Sequence, residues 1–494
     1  MSINSGHGLR AKIVSALKWS VWGTVLQVTL QTGVIAVLGR LLGPAEYGLL
    51  AMANVIIQFT SYFSQMGLGP ALIQRENIQV EDIRASFTLA VVLGIFFAVI
   101  TILIAPLAAV FFRNEFVGSM IRWLSFSFIL GGSSLTATSL LRREMRFKAL
   151  ALVEVSAYGL GNGAIAICCA VLGFGVWSLV IGILAQQTII LLASFLIVRH
   201  SLIPIFSLSA YSKSLSFGAH YSVNSILDFF YAKVEVLFMG RLYTERLLGL
   251  YDRGYMLAHM PVQQMAMSVS KVMFPAFSRL QGQKKSLSRA FLTTFSVVGL
   301  VASGICAGMI PAGREIVFVV LGAKWQEAIL PFQILAFAVP IHYLISISGA
   351  LLDGTGQLAA RSKTRVYGII FKVLVLMYSA SFGFYGILVG IGVSLVFQMA
   401  LMLFYIIKRV GLPAASFASF CLLLIANAAF IGGLTWCVTF AGRAFDLTPV
   451  LLLIAQMATG AIALFMSFSI VLRYALCGLR TEDFRSIPIV GRVL

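Results

Sequence analysis

Charge is scarce in this chain, and acids are scarcest. Asp, Glu, Lys and Arg make up 11% of the 494 residues, and only 17 of them are acidic. Soluble domains carry about a quarter charged residues. With 60% hydrophobic residues and a mean hydropathy of +0.97, the chain is an integral membrane protein, and its polar gaps are too short to hold a soluble domain. Catalytic signatures are missing as well. No GxxxxGK[ST] loop is present to cradle nucleotide phosphates, which excludes an ATPase, and neither HExxH nor GxSxG occurs. No DxD pair stands in a loop to hold a metal-bound sugar nucleotide. An enzyme built on this chain would need its active site inside the bilayer. Gly159, Gly161 and Gly163 resemble a nucleotide loop in spacing, but they fall within an apolar run, where small residues let helices approach. The six cysteines (Cys168, Cys169, Cys306, Cys421, Cys437 and Cys477) show no CxxC spacing and no neighbouring histidine, so they read as packing residues. No cofactor or metal site is expected. His220, His259 and His342 are isolated along the chain, and a structural hydrogen-bonding role is expected for each.

What is present is a series of apolar runs, each long enough to cross a hydrocarbon core of about 30 Å with roughly 20 residues. Fourteen are read, near 14–39, 47–70, 85–111, 117–141, 150–172, 175–198, 215–240, 248–276, 290–311, 328–352, 366–383, 385–407, 416–440 and 448–473. The net charge of +19 is then a matter of placement. With the N-terminus inside, inner loops and tails hold 24 Lys and Arg, outer loops hold nine, and Lys233, Lys271 and Lys372 lie within spans. That bias puts both termini in the cytoplasm. The basic charge signals topology and attraction to anionic membrane lipid, not nucleic acid. Arg10, Lys12 and Lys18 lead into a full-length span without a small-residue cleavage site, so the first span is expected to be retained.

The chain also repeats itself. At an offset of 201, Gly39, Arg40, Leu41, Gly48 and Leu49 fall on Gly240, Arg241, Leu242, Gly249 and Leu250. At 205, Pro70, Ala71, Arg84 and Ala85 fall on Pro275, Ala276, Arg289 and Ala290; at 208, Phe174, Gly175 and Gly182 fall on Phe382, Gly383 and Gly390. Six crossings return a chain to its starting side, so the halves are parallel repeats related by an axis along the membrane normal. The expected fold is an all-α membrane protein with two six-helix lobes and two extra C-terminal helices. The boundaries read as an N-lobe at 1–198, a cytoplasmic linker at 199–214, a C-lobe at 215–409, the extra spans at 410–474 and a cytoplasmic tail at 475–494. Parallel-repeat membrane proteins place a substrate site between lobes near the midplane, which makes a transporter the default.

Two stripes of neutral polarity mark the first spans. Ser20, Thr24, Gln27 and Gln31 share one helix face, as do Asn54, Ser61, Gln58 and Gln65. Amides in hydrocarbon need partners. They either bond neighbouring helices or line a hydrated cavity and bond sugar hydroxyls, with Trp19, Trp22 and Tyr62 placed to stack on sugar rings. In the seventh span, the repeat mate of the first, Gln27 maps to Asp228, Thr32 to Lys233 and Val34 to Glu235. Each such charge costs about 2.5–3.5 kcal/mol at mid-membrane on insertion scales, so it is paired or faces water. Asp228 and Glu235 share a face, while Lys233 lies on another.

The stretches LGRLLGPAEYGLLAMAN at 38–54, GLGPALIQR at 67–75 and LLRREMRFKAL at 140–150 resemble the polysaccharide-export branch of the multidrug, oligosaccharidyl-lipid and polysaccharide exporter superfamily. The likeness is to bacterial flippases for lipid-linked oligosaccharide repeat units. That resemblance implies a V-shaped pair of six-helix bundles in the bacterial inner membrane, alternating access, and no enzymatic step. It implies a substrate of undecaprenyl-pyrophosphate-linked oligosaccharide for exopolysaccharide or O-antigen assembly, with a polysaccharide polymerase and chain-length protein as partners. On it, Lys233 and Lys271 attract the pyrophosphate; Gln27, Gln31, Asn54, Gln58, Trp19 and Trp22 take the glycan; Asp228 or Glu235 carries a coupling ion. A cation-coupled drug antiporter of the same fold is the first rival, and it would carry acids in the first spans, which hold only amides and hydroxyls. A flippase for the peptidoglycan precursor would show cavity arginines, and none stands within the spans as drawn. A membrane-embedded polymerase or acyltransferase lacks its loops.

Overall fold

The computed structural model describes residues 5–64, 68–74, 78–205, 226–410 and 414–478, which are helical with short connections and contain no strand. His220 and Gln65, much of the linker and most of the C-terminal tail lie outside the described residues. The first repeat comprises α1 (Ser5–Leu41), α2 (Pro44–Ser64), a short α3 (Leu68–Gln74), α4 (Val80–Phe112), α5 (Glu115–Leu124), α6 (Phe126–Arg143), α7 (Phe147–Tyr158), a π-helical turn at Gly159–Ile165, α8 (Ala166–Val171) and α9 (Trp177–Ile197). Next come α10 at 226–242, then α11 (Glu245–Leu280), α12 (Lys284–Met309), α13 (Gly313–Val320), a 3₁₀ turn at Ala323–Ala328, α14 (Ile329–Gly354), α15 (Leu358–Ser379), α16 (Gly383–Val410), α17 (Ala414–Ala444) and α18 (Pro449–Gly478).

Helix lies in each of the fourteen expected spans as far as they are described, the seventh being described only from 226 and the second without 65–67. Ten stretches among the described residues are long and apolar enough to cross a membrane by length and composition, and one of them, 358–408, holds both α15 and α16. The helices outside that set are the short α3 and α13 together with α2, α10 and α11, and the last three carry much of the polarity. Local signals set the helix ends. Asp82 Oδ2 accepts the Gln79 amide at 3.1 Å before α4, and Asn114 Oδ1 caps α5 through the Phe116 amide at 3.0 Å. Arg113, with φ 55°, turns the chain between them.

The chain forms two compact units, one of residues 1–252 with 320–325, the other of 253–319 with 326–494. In the first unit α10 packs on α2 through an aromatic seam, with Phe59 centred 5.3 Å from Phe229 and 5.6 Å from Phe230, and Tyr62 5.6 Å from Phe229. The glycines of the π-turn serve close packing. A Cβ on Gly161 would lie 2.5 Å from the Gln186 amide nitrogen, and one on Gly159 3.3 Å from Leu30. Asn162 donates to the Gln186 side-chain carbonyl across the same contact. In the second unit α17 and α18 are tied to α12 by Asn427, whose Nδ2 reaches Leu300 O at 3.0 Å and Ser303 Oγ at 3.1 Å, while its Oδ1 accepts from Ser467.

Residues matched by the repeat perform matched tasks. Gly175 and Gly383 both take positive φ, 54° and 76°, just before α9 and at the start of α16, a conformation glycine adopts without steric cost. Gly182 and Gly390 sit seven residues, about two turns, further on, where a Cβ would come 2.7 Å from Ala166 and 2.6 Å from Ser379 Oγ respectively. Each lets the last helix of its repeat close on the one before.

Candidate functional site

In the first unit, α1 and α2 carry the amide stripes. Gln27 and Gln31 are half-buried, and the Oε1 of Gln27 is enclosed without a hydrogen-bond partner, a costly arrangement for a buried acceptor. Thr29 and Thr32 turn their hydroxyls back to the carbonyls of Val25 and Val28, at 2.9 and 2.8 Å. Nearer the N-terminal end of α1, Trp22 is 69% exposed. One face of Trp19 is covered by the Lys148 ammonium, 5.0 Å from the ring centre. The α1–α7 approach beneath them depends on Gly23, where a Cβ would stand 2.8 Å from that of Ala151. On α2, Asn54 is half-buried and Gln58 exposed. No hydrogen bond among those described joins the α1 amides to the α2 amides.

On α10 the three ionisable residues separate. Glu235 is 3% exposed, and its Oε1 accepts from Tyr251 Oη at 3.3 Å. Asp228 and Lys233 are half-buried. Asp228 directly precedes the aromatic seam with Phe59 and Tyr62, so it lies at the level of Gln58. Tyr62 is edge-on to Phe229 and is thereby committed in part to packing.

In the second unit Lys271 is exposed on α11, and the concentration of polarity lies elsewhere. His259 of α11 is buried; its ring stacks on Tyr255 at 3.9 Å and stands edge-on to His342 of α14 at 5.0 Å. Its Nδ1 lies 3.2 Å from Tyr343 Oη. Two histidines 83 positions apart in sequence, read there as isolated, are therefore neighbours. From α15, Arg365 and Lys372 are close enough to act electrostatically on His342. Lys372 is 2% exposed, the most deeply buried cation described. One turn before Arg365, Arg361 is ion-paired with Asp353 of α14, and its guanidinium crosses α14 beside Gly349. Arg361, Arg365 and Lys372 stand at i, i+4 and i+11, which is one face of α15.

Sequence reasoning missed this column because it began the eleventh span at 366, treating RSKTR as loop. The helix begins at Leu358, and the spacing of the cations on a helical period was the available signal. A third polar cluster is self-contained. Glu315 of α13, 4% exposed, receives Arg443 Nε and Nη2 on one oxygen at 3.1 and 2.8 Å. Gln456 Nε2 reaches its other oxygen at 3.4 Å and Thr439 Oγ1 at 2.8 Å. A carboxylate so neutralised fastens α17 and α18 to α13. Among the described residues no three His, Cys, Asp or Glu side chains converge as a metal site, and the described cysteines are free thiols.

Comparison with known proteins bears on this architecture directly. Residues 37–330 match the family described as "Polysaccharide biosynthesis protein". The chain is 26% identical over 409 residues to lipopolysaccharide biosynthesis protein WzxC of Escherichia coli K12, covering 81% of this chain and 82% of that one. It is 27% identical over 348 residues to the succinoglycan biosynthesis transport protein ExoT of Rhizobium meliloti, covering 69% and 68%. Among solved structures it superposes on the inward closed conformation of the lipid II flippase MurJ with a TM-score of 0.72 at 13% identity, over 93% of this chain and all of that one. It superposes on an inward-facing multidrug transporter of the MATE family and MOP superfamily with a TM-score of 0.59 at 15% identity, over 78% and 94%. The fold is that of the MOP exporters, and with more than half its length matched the chain belongs to the polysaccharide biosynthesis protein family.

Proposed function

We propose that this protein is a flippase that carries undecaprenyl-pyrophosphate-linked oligosaccharide repeat units from the cytoplasmic to the periplasmic face of the bacterial inner membrane, for exopolysaccharide or O-antigen assembly. It is a transporter and not an enzyme. The observation that carries the reading is the placement of amides and cations inside helices of a MOP-type fold, in a chain whose relatives are named for polysaccharide biosynthesis and transport. A head group of sugar hydroxyls and phosphates needs both kinds of partner to leave water.

In this reading both termini are cytoplasmic, by the bias of basic residues. Residues 1–198 and 215–409 act as the two lobes, joined through a linker at 199–214, with 410–474 as an appendage. The glycan bonds Gln27, Gln31, Asn54 and Gln58 and stacks on Trp22 and the open face of Trp19. Lys233 and Lys271 attract the pyrophosphate as point charges. The polyprenyl tail stays in lipid. Asp228 or Glu235 carries a coupling ion, because a carboxylate held within a span is paired or faces water and can take a cation as its partner. A polymerase and a chain-length protein consume the flipped product.

Deletion in the native host tests the reading. The expected result is lost polymer with undecaprenyl-linked oligosaccharide accumulating on the cytoplasmic face, restored by the parent chain and poorly by Lys233→Glu or Lys271→Glu. Normal polymer with altered drug tolerance would move the assignment to a cation-coupled antiporter and recast Asp228 and Glu235 as its ion site. Full restoration by both charge reversals would remove the lysines from the pyrophosphate site.

A further inference from the structure

Gln398 of α16 is fully buried, and neither its Nε2 nor its Oε1 meets a hydrogen-bond partner among the described residues. It lies on an otherwise apolar stripe, with Ile391, Leu395, Met402 and Ile406 buried on the same face at helical spacing. Enclosing an amide in this way costs the desolvation of both its ends, and native interiors give such groups a partner. The first repeat shows the usual solution. There the side chain of Gln186 on α9 is met by Asn162 of the π-turn.

The packing of α16 on α15 sets what stands opposite Gln398. Phe371 stacks on Phe397 at 3.8 Å, and a Cβ on Gly390 would come 2.6 Å from Ser379 Oγ. These two contacts make the pair antiparallel. Lys372 precedes Ser379 by seven residues on the buried face of α15, and Gln398 follows Gly390 by eight on α16. At 1.5 Å per residue those are descents of about 10 and 12 Å. The two residues, 2% and 0% exposed, therefore stand at one level of the helix pair, both turned into the second unit. The repeat ties them together as well. At the offset of 208, Lys372 falls on Ala164 and Gln398 on Ile190, so the first repeat has neither.

The chemistry of the missing partner follows by elimination. A simple anion answers only the amide N–H groups of Gln398, and a simple cation only its carbonyl. A sugar hydroxyl has both functions, but a side chain with no solvent exposure leaves no way in for a sugar. Water both donates and accepts, and it occupies buried sites that offer two to four polar partners. We propose that α15 and α16 hold buried water between Gln398 and Lys372. One water accepts from the ammonium, which has three donors to place, and donates to Gln398 Oε1; a second accepts from Nε2. Hydration of this kind lets a lysine carry its charge inside a span. The inference goes beyond the transport reading and does not depend on it.

X-ray radiolysis of the purified full chain in lipid nanodiscs reads the water itself, because hydroxyl radicals formed from bound water oxidise the side chains that it touches. Met402, fully buried one turn after Gln398, is the reporter, and Met52 and Met120, 2% and 0% exposed in the first unit, are buried controls. Met402 should be oxidised at least fivefold faster than either control, and in Gln398→Leu its rate should fall to theirs. A parent Met402 as slow as Met120 overturns the proposal. So does a fast rate that Gln398→Leu leaves unchanged, since the radicals then come from elsewhere. Thermal unfolding of the same variant gives an independent reading. Removing an amide that has no partner at all stabilises a chain, so a midpoint several degrees above the parent's overturns the proposal, whereas the expected midpoint is at or below it. If Gln398→Leu does not reach the membrane, Gln398→Met, closer in length, takes its place, and the parent's own Met402 rate still decides.

Discussion

The two compact units hold their intramembrane polarity in different currencies. In the first, α1 and α2 offer amides, and the charges stand on α10, where Asp228 and Lys233 are half-buried and the Glu235 carboxylate is met by a tyrosine hydroxyl. In the second, α15 sets Arg361, Arg365 and Lys372 along one face, beside a pair of histidines and a single α14 carboxylate, Asp353. Neutral dipoles suit hydroxyl-rich ligands and depend little on salt, whereas cations in low dielectric exert long-range attraction on anions. The repeated backbone has therefore been given two chemistries. The repeat fixes where helices and glycines lie and leaves side-chain polarity free to diverge.

Several substitutions bring that contrast to experiment. The largest effect is expected where polarity is purely structural. Arg443→Met leaves the Glu315 carboxylate buried without its guanidinium and should cost about 3 kcal/mol, the lower end for a broken buried pair because Arg443 is partly exposed. Thermal unfolding in detergent measures it, and Glu315→Gln with Arg443→Met together should recover part of the loss. If Arg443→Met unfolds like the parent, the fastening of α17 and α18 lies elsewhere.

Next come the repeat glycines. Gly383 combines φ 76° with ψ −165°, a region occupied essentially by glycine, so Gly383→Ala should cost about 1–3 kcal/mol. Gly175→Ala, at φ 54°, should cost about 1 kcal/mol, the usual left-handed penalty. Equal losses would mean that the two turns are equivalent after all.

The contrast in ligand chemistry is sharpened by export assays. Lys372→Met should reduce export about tenfold, which corresponds to roughly 1.4 kcal/mol, if the second unit's cations act on the substrate. Export is normalised to the protein level in the membrane, because removing one member of a buried interaction can itself destabilise the chain. Unchanged export would make the column a structural device of the second unit. Smallest is Gln27→Leu. It removes the hydrogen bond proposed to the glycan, worth about 0.5–1.5 kcal/mol, and should lower export two- to tenfold, with a loss that does not respond to ionic strength. A loss that grows with salt would contradict the neutral character assigned to α1.

Much of the fold was legible because membrane burial writes itself into composition. Hydrocarbon admits only residues that need no water, so the runs near 85–111 and 175–198 declare α4 and α9 within a few residues. The less apolar helices were read with softer edges for the same reason. α15 starts eight residues before the expected span because Arg361 and Arg365 are helical, and charge near a span's end looks like loop until a partner such as Asp353 is known. The candidate amides and ionisable residues were visible one by one, from polar side chains on a helical period. Their company was not: His259 meets His342, Lys148 covers Trp19, and Tyr251 meets Glu235.

By itself, then, the sequence determined that this chain spans a membrane, repeats itself in parallel halves, lacks the usual catalytic loops and carries polar residues inside its helices. All of these follow from local composition, periodicity and a fixed offset, properties that one strand of text contains. Tertiary structure alone decided which charges are neutralised, which histidines are neighbours, and that the backbones at Gly48 and Gly249 come into contact. Those outcomes depend on which helix faces come together, and that is set by packing between residues hundreds of positions apart.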